Sequence, residues 1–311
     1  MITTGNSVCD PIRAILDARE DAVLAVVAGV VGPSYRPVGA SMAIVGGTGR
    51  TGSLSSGCVE NDIALHAQRV LETGTPEIIR YGEGSPYVDI RLPCGGGLDI
   101  LLLPNPDRQA LASIVDNYEQ RRPCTLDIDL GSGALAVRDR GETGREANRL
   151  AVRFEPDIAF QVFGKGPAAL TFAALVRSAG FPCLLLSPDR ETLDAAGATG
   201  CTARELVAPR YPDDLDTDYR TAIVAFFHDR DWEPPILAGA LETPAFYIGA
   251  QGSRQSRDLR LQALEEMGVS EEARARLSGP IGLFPSARDA RTLAVSVLAE
   301  VLATSMPAGK K

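Results

Sequence analysis

The sequence predicts an α/β protein in which a small N-terminal α/β domain is followed by a Rossmann-like domain with a parallel sheet. In the second half of the chain, short apolar runs alternate with helical segments, which is the pattern of βαβ crossovers. A Gly-rich segment also joins one of these runs to a helix, as in nucleotide-binding folds. With 311 residues, the chain can bury a core in each of two domains. We expect these domains at 1–105 and 157–305, with a connector at 106–156.

In the N-terminal domain, apolar runs bounded by turn residues predict buried strands. These strands are expected at 22–31, 41–45, 77–81 and 98–103. Helices are expected at 10–21 and at 61–72, where apolar residues recur at amphipathic spacing before Gly74. A third helix at 108–121 begins the connector. The rest of the connector alternates weakly and is rich in Gly and Arg, which predicts a hairpin.

The C-terminal domain shows a clearer alternation of strands and helices. Strands are expected at 158–163, 183–186, 222–227 and 245–248. A helix follows the first strand and runs to Ala179, and two closing helices are expected at 259–267 and 293–302. This order of elements predicts one parallel sheet.

Composition and charge argue against several classes of protein. The net charge of −9 opposes non-specific binding to nucleic acid or to a membrane surface. The first twenty residues carry five charged side chains, so they cannot form the core of a signal peptide, and the longest apolar run is too short to span a bilayer. We therefore expect a cytoplasmic protein with reduced thiols. Six cysteines without a CxxC pair, and only two histidines, make a zinc site unexpected.

Two cysteines differ from the others because glycine and serine surround them. Cys58 lies in Ser-Ser-Gly-Cys-Val-Glu, which ends at Glu60, and Cys94 lies in Pro-Cys-Gly-Gly-Gly. Structural cysteines usually pack among large apolar residues, whereas glycine leaves backbone N–H groups free to approach an anion or a metal-bound cofactor. Cys58 also precedes a helix, whose dipole favours a thiolate that acts as a soft metal ligand or a nucleophile. His66 is too far along that helix to activate it, so a catalytic Cys–His pair is not expected.

The segment Gly-Lys-Gly-Pro-Ala-Ala follows a strand and opens a helix, which is the context that the dinucleotide fingerprint requires. Its first glycine, Gly164, forms the turn, and Gly166 lets the backbone approach a phosphate at the helix N-terminus. The acidic residue that usually binds the ribose is missing, because Ser187 occupies the end of the next strand. Ser187 and Arg190 suit a ribose phosphate instead, or the loop binds no dinucleotide. Asp189 also has a purely structural interpretation, as a turn residue after Pro188.

Two further segments follow strands of the second domain. His228 comes directly after the third strand, where ligands bind in open α/β sheets, and a hydrogen-bonded structural histidine is the equal alternative. Ser253 and Arg254 follow the fourth strand in a Gly-rich turn, and an arginine there suits an anion through its planar guanidinium. The alternative is a turn with solvent-exposed arginines.

The chain resembles the XdhC/CoxI family of xanthine dehydrogenase accessory proteins in seven segments that occur in the same order. They are S-x-S-S-G-C-V-E ending at Glu60, Y-G at 81–82, P-C-G-G-G-L-D-I at 93–100, G-x-G-P at 164–167, F-Y-I-G-A-Q-G-S-R at 246–254, G-P-I-G-L at 279–283 and A-V-S-V-L-A-E at 294–300. The chain departs from the family in the Ser-Pro-Asp-Arg segment after the second Rossmann strand, usually Asp-Pro-Arg, and at Phe227, usually threonine. These departures leave the Rossmann loop open to NAD(P) or to a pterin nucleotide.

The resemblance implies a chaperone for the molybdenum cofactor, which contains molybdopterin, rather than a turnover enzyme. Such proteins protect the cofactor while a cysteine desulfurase supplies its sulfido ligand. They then deliver it to an apo molybdenum hydroxylase such as xanthine or aldehyde dehydrogenase. The motif residues carried over by position are Cys58, Glu60, Cys94, Gly95 and Gly96 in the N-terminal domain and Gly164 and Gly166 in the Rossmann loop. Gly57, beside Cys58, is a further candidate for cofactor binding.

We hypothesise that the cofactor lies between the two domains, with its phosphate on the Rossmann loop or on Ser253 and Arg254, and with Cys58 and Cys94 as molybdenum ligands. Two alternatives remain open. One is an NAD(P)-dependent oxidoreductase with His228 as proton donor. The other is a scaffold that bridges a desulfurase and its target. A homodimer is expected only because symmetric dimers are the commonest assembly.

Overall fold

The computed structural model describes residues 2–3, 7–55, 57, 59–85, 95–227, 229, 231–284 and 287–306. The chain forms two compact units, Met1–Pro156 and Asp157–Lys311. The first unit contains mainly antiparallel sheets and the second a parallel sheet, which confirms the predicted mixed α/β fold class. Over the described ranges, no helix is both long enough and apolar enough to cross a membrane.

The first unit is built on a six-stranded sheet with one long central strand. Its elements in chain order are β1 (Ile2–Thr3), α1 (Asp10–Asp17), β2 (Ala22–Val31), β3 (Ser41–Val45), β4 (Gly49–Gly52), α2 (Glu60–Thr73), β5 (Glu77–Gly82) and β6 (Gly97–Pro104). The strand order is β1-β4-β3-β2-β6-β5, and all neighbours are antiparallel except β1 and β4.

The continuous apolar sequence of β2 follows from burial on both faces of this sheet. Leu24 and Val26 belong to a core that also contains residues of α1 and α3, whereas Val23 and Val27 belong to a core that contains residues of α2. Successive side chains of a strand point to opposite faces, so a strand covered on both sides needs apolar residues at every position.

Residues 106–156, predicted as a connector, form a second layer of the first unit. They contain α3 (Arg108–Glu119), β7 (Cys124–Asp129), β8 (Leu135–Arg138), β9 (Gly144–Glu146) and β10 (Arg149–Phe154), and the strand order is β8-β7-β10-β9. Leu126 and Leu150 share a core with Leu24 of β2. The weak alternation of the sequence therefore reflects a half-buried antiparallel sheet, whose apolar face packs on the rest of the unit.

The second unit is a six-stranded parallel sheet with helices on both faces. Its elements are β11 (Ala159–Gly164), α4 (Pro167–Ser178), β12 (Cys183–Ser187), α5 (Arg190–Ala198), β13 (Thr202–Glu205), β14 (Thr221–Phe226), α6 (Glu233–Leu241), β15 (Tyr247–Ala250), α7 (Arg254–Glu266), α8 (Glu271–Ala275), β16 (Leu277–Ser278) and α9 (Ala290–Ser305). The strand order β13-β12-β11-β14-β15-β16 is the 3-2-1-4-5-6 order of dinucleotide-binding folds. The predicted Rossmann-like domain is therefore confirmed.

Two helices of this unit show why the sequence analysis was incomplete. Helix α6 was not predicted, because its sequence Glu-Pro-Pro-Ile-Leu-Ala-Gly-Ala-Leu is short and mostly buried, so it lacks an amphipathic pattern. Helix α7 begins at Arg254 rather than at the predicted 259, because Ser253 caps it. The cap accepts a hydrogen bond from the backbone N–H of Ser256.

Candidate functional site

In the second unit, the candidate site lies where the strand order reverses. Chain connections leave β11 in one direction toward β12, whereas β14 pairs with the other side of β11. Ligands of open α/β sheets bind beyond the carboxyl ends of strands at such a point. Lys165 directly follows β11, and Phe227 directly follows the neighbouring parallel strand β14. The Gly-rich loop and the residue that precedes His228 therefore lie at the same end of the sheet, as the sequence predicts. His228 itself lies outside the described residues.

The two glycines of the Rossmann loop serve different purposes. A Cβ on Gly164 would lie 2.8 Å from the carbonyl oxygen of Phe226, so this residue allows β11 and β14 to pack closely. Gly166 has φ +76° and ψ −165°, a conformation essentially confined to glycine, although a Cβ there would meet no neighbouring atom. Ala169 is fully buried in the core, as expected for the small third residue of the fingerprint.

The amide that the fingerprint offers to a phosphate is already engaged by the chain. The N–H of Gly166 donates a hydrogen bond of 2.9 Å to Oγ1 of Thr192, and this hydroxyl donates to Oδ2 of Asp189. The N–H of Thr192 donates to the same carboxylate oxygen at 2.9 Å, so Asp189 caps α5. These hydrogen bonds from Thr192, with the nearby charge of Lys165, hold the pKa of the Asp189 carboxyl below its ordinary value.

The structure does not bring Ser187 and Arg190 together as a phosphate site. Ser187 is fully buried, and its Oγ accepts a hydrogen bond of 3.2 Å from the N–H of Asp189. The side chain of Arg190 is 84% exposed and pairs with Asp194 at 3.2 Å. Ser253 and Arg254 are likewise exposed, and the Ser253 hydroxyl is used as the cap of α7.

An ion pair joins the two loops at the carboxyl edge. Lys165 Nζ lies 3.3 Å from Oδ2 of Asp229. A hydrogen bond from the N–H of Asp231, together with Lys165, lowers the pKa of the Asp229 carboxyl. An incoming anion would therefore have to compete with a carboxylate for Lys165.

In the first unit, Cys58 and Cys94 lie outside the described residues, and the glycines beside them have distinct environments. Gly57 and Gly95 have φ of +96° and +72°, and a Cβ on either would meet no atom of the described residues within 4 Å. Gly96 differs, because a Cβ there would collide with the backbone oxygens of Val31 and Pro33. The positive φ and open space at Gly57 and Gly95 leave backbone accessible next to each cysteine.

Glu60 has its carboxylate turned into the loop that precedes it. Its Oε1 accepts hydrogen bonds from the N–H groups of Leu54 and Ser55, at 3.2 and 2.8 Å, and from Oγ of Ser53 at 3.1 Å. Its Oε2 accepts from Oγ of Ser55 at 2.7 Å and from the N–H of Val59 at 3.2 Å. The side chain therefore holds the two ends of the segment that contains Cys58.

Burial and hydrogen bonding act on the Glu60 carboxyl in opposite directions. Burial raises its pKa, since Glu60 is only 8% exposed. The hydrogen bonds from Ser55 and Ser53 outweigh this effect, so its pKa lies below the ordinary value of 4.5. The group is thus held as a carboxylate.

Two motif segments near the C-terminus are explained by packing. Glu300 accepts hydrogen bonds from the Tyr247 hydroxyl, at 2.8 Å, and from the N–H of Gly282. Ser296 accepts a hydrogen bond of 2.7 Å from the N–H of Phe284, and a Cβ on Gly282 would lie 2.7 Å from the same hydroxyl. These side chains fix the segment 279–284 against α9.

Sequence reasoning missed a buried ion pair between α6 and α7. Arg260 Nε lies 2.7 Å from Oε2 of Glu233, and the two residues are 4% and 9% exposed. One signal was available, because Arg260 stands four residues before the buried Leu264 and so on the inward face of α7. An arginine on the apolar face of a helix indicates a buried partner.

Comparisons with known proteins match both units. The model of the XdhC Rossmann domain matches residues 160–301, and that of the XdhC and CoxI family matches residues 15–82. The molybdenum cofactor insertion chaperone PaoD of Escherichia coli is 36% identical over 90% of this chain and 82% of its own length. A probable xanthine dehydrogenase subunit from Bacillus subtilis is 25% identical over 94% of this chain and 95% of its own.

Among solved structures, a xanthine dehydrogenase from Bacillus halodurans has the same fold. The TM-score is 0.81, and the superposition covers 98% of each chain at 19% sequence identity. At this identity the likeness concerns the fold alone.

Proposed function

The chain belongs to the XdhC and CoxI family, and on that premise we propose that it binds the molybdenum cofactor and inserts it into a molybdenum hydroxylase. The observation that carries this proposal is the 36% identity with PaoD, which extends over both units. The recipient is a hydroxylase of the xanthine dehydrogenase kind, because a second full-length relative bears that name. The proposal includes cofactor sulfuration with a cysteine desulfurase as sulfur donor, a homodimeric state and a cytoplasmic location.

The residues of the first unit suit such a cargo. Molybdenum accepts soft thiolate ligands, and Cys58 and Cys94 are the thiols that we assign to it. Gly57 and Gly95 leave open space and backbone N–H groups beside them, which a bulky cofactor needs. Glu60 accepts five hydrogen bonds from the described residues of its own loop, so we assign it the positioning of the Cys58 segment rather than direct contact with the cofactor.

The strand order and the Gly-rich loop are compatible with the alternative of an NAD(P)-dependent oxidoreductase, but the hydrogen bonds of that loop do not support it. The Gly166 amide, which the fingerprint offers to a phosphate, donates to the Thr192 hydroxyl, and this hydroxyl donates to the Asp189 carboxylate. Arg190 extends into solvent and so offers no defined site for a ribose phosphate.

The proposal is tested by what copurifies with the protein. We expect molybdenum and a pterin that becomes fluorescent on oxidation, and we expect the loaded protein to activate an apo hydroxylase. Cys58→Ala and Cys94→Ala should reduce both cofactor retention and activation. Cys183→Ala is the matched control, because Cys183 lies at the start of β12.

Several outcomes would contradict the proposal. Wild-type retention and activation in both cysteine variants would remove the assigned thiol ligands. A protein that activates the hydroxylase without carrying any cofactor would instead be a scaffold. Bound nicotinamide nucleotide with hydride transfer to a carbonyl or imine would favour the oxidoreductase.

A further inference from the structure

Helix α9 has an apolar surface on the side that its own core does not cover. Its buried residues are Leu293, Ala294, Ser296, Val297, Leu298 and Val301. The other side contains Val295, Ala299, Leu302 and Met306, which are partly or largely exposed and which we call the α9 face. Val295 is 50% and Met306 66% exposed. A surface helix normally carries polar and charged residues on this side, so α9 is unusual in being apolar toward solvent.

The residues of the α9 face recur at the spacing of a coiled-coil seam. From Val295 to Met306 the steps are four, three and four residues, as between the a and d positions of successive heptads. They form one stripe that extends about 16 Å along the helix. Side chains at such positions insert between those of a second helix, so this spacing suits a helix as the occupant.

The α9 face also lacks charge in a chain whose net charge is −9. Residues 292–306 include one ionisable side chain, Glu300, which accepts hydrogen bonds from the Tyr247 hydroxyl and the Gly282 N–H. Helix α4, which shares a core with α9, has no charged side chain over residues 167–176. Two acidic copies repel each other over most of their surfaces, so an uncharged apolar surface is where they can meet.

Two large apolar residues beside the helix widen this surface. Leu283 and Phe284 are both about half exposed. Their backbone N–H groups donate to the backbone oxygen and to the hydroxyl of Ser296, at 3.4 and 2.7 Å, so both residues are held against α9. Exposed apolar surface of this kind marks a site of association.

We propose that two copies of this chain associate through the α9 face, with their α9 helices antiparallel. A two-fold axis between Ala299 and Leu302 places Ala299 of one copy against Leu302 of the second copy. The same axis places Val295 of one copy against Met306 of the second copy. Each contact joins a smaller side chain to a larger one, so the two faces interlock. The α9 face is thus complementary to itself, as a two-fold interface requires.

The antiparallel arrangement is favoured over a parallel one. In a parallel pair, Arg291, whose side chain is 92% exposed, would lie near Arg291 of the second copy, and like charges repel. Ala299 would also face Ala299 of the second copy and leave a gap between the helices. Antiparallel helices avoid both contacts and oppose their dipoles.

This inference rests on the proposed function only for the homodimeric state, to which it gives a surface. Two helix faces of three turns each bury less area than a standard interface, so we expect the dimer to dissociate at micromolar concentration. Sedimentation velocity of the full-length protein at about 1 to 100 µM measures the association. The wild type should change from monomer to dimer over this range.

A single charge on the α9 face should prevent this association. Val295→Glu should weaken it at least about tenfold, because each copy would have to bury a carboxylate in an apolar seam. Thr304→Glu is the matched control, since it adds the same charge to an exposed residue of the same helix outside the α9 face. This control should associate as the wild type does.

A second charge tests the antiparallel register. Position 295 of one copy faces position 306 of the second copy, so Val295→Glu combined with Met306→Lys should restore the association by pairing opposite charges. A parallel pair would bring like charges together and would not be rescued. Both positions are exposed in the single chain, so the substitutions should preserve the fold, which circular dichroism checks.

The inference is overturned if the wild type stays monomeric at about 100 µM, if Val295→Glu associates as the wild type does, or if adding Met306→Lys restores nothing. A monomeric wild type in which Val295→Glu abolishes activation of the hydroxylase would assign the α9 face to a different protein and also overturn it.

The failure of this inference is distinguishable from the failure of the proposed function. A protein that carries molybdenum and still dimerises as Val295→Glu refutes the α9 face and leaves the chaperone proposal standing. A protein whose dimer depends on Val295 and Met306 but that never carries molybdenum supports the α9 face and refutes the chaperone.

Discussion

The backbone N–H of Gly166 donates a hydrogen bond of 2.9 Å to the hydroxyl of Thr192. The bond joins the turn after β11 to the first turn of α5, and it continues through the hydroxyl to Asp189. In a loop with the sequence of a phosphate-binding site, a backbone N–H that could bind phosphate is thereby hydrogen-bonded to a side chain of the same domain. The fold and the fingerprint alone therefore do not establish nucleotide binding here.

Thr192→Val should destabilise the second unit by about 1–3 kcal/mol, because it leaves the Gly166 amide without its acceptor and removes the donor to Asp189. The change in free energy is measured by urea unfolding, monitored with a spectroscopic signal that comes from the second unit. Thr304→Val is the control, since this hydroxyl lies exposed near the end of α9. A loss no larger than that of the control would show that the network carries no stability.

The two loop glycines should respond differently to alanine. Gly164→Ala forces a methyl group against the Phe226 carbonyl, and a clash with backbone cannot relax easily, so we expect it to cost more than Gly166→Ala. In Gly166→Ala the added methyl group meets no atom of the described residues, so the variant carries only the strain of its backbone conformation, about 1–3 kcal/mol. Thermal unfolding of the two variants shows which substitution destabilises the protein more. Equal losses would contradict the packing role of Gly164.

Glu60→Gln should lower the free energy of unfolding by about 2 kcal/mol at pH 7, because the carboxylate accepts its hydrogen bonds as a charged group. Folding lowers the pKa of this carboxyl, so its contribution is fully present above pH 4.5 and is lost as the pH falls through the folded-state pKa. The difference between wild type and variant should therefore shrink in acid.

The measurement for Glu60 is the unfolding free energy between about pH 3 and pH 7, which brackets the ordinary carboxyl pKa. Glu72→Gln, an exposed substitution on the same helix, is the control and should leave the curve unchanged. A difference that stays constant across this range would contradict the role of the ionised carboxyl.

Removing one residue of the Arg260–Glu233 pair should lower the free energy of unfolding strongly, whereas replacing both residues should lower it little. Arg260→Met removes one side of a buried ion pair, and breaking such a pair costs about 3–5 kcal/mol. The double variant with Glu233→Met should recover most of this loss, because both charges are removed together. Arg204→Met breaks an exposed pair with Asp214 and should have little effect.

Urea unfolding of the single and double variants measures the coupling between Arg260 and Glu233. A double variant as unstable as Arg260→Met alone would show that the residues stabilise the unit through other contacts.

The sequence predictions are accurate where the structure depends on neighbouring residues and incomplete where it depends on contacts between residues distant in sequence. The bounds of β2 and β3 were predicted correctly, because apolar runs and turn residues are local signals. For residues 106–156 the sequence shows only weak alternation, and it is the core shared with Leu24 that reveals the burial of their apolar face. For α6, burial on all sides removed the periodicity on which a prediction depends.

By itself, the sequence determined the α/β class, the Rossmann loop, the order of the motifs and, through these, the family. Only the tertiary structure decided the partners of the polar side chains: Thr192 on Gly166, Glu60 in its own loop and Arg260 on Glu233. The reason is physical. Backbone conformation is governed by neighbouring residues, whereas a buried polar group takes whichever partner the fold brings within hydrogen-bond distance, and that partner can be distant in sequence.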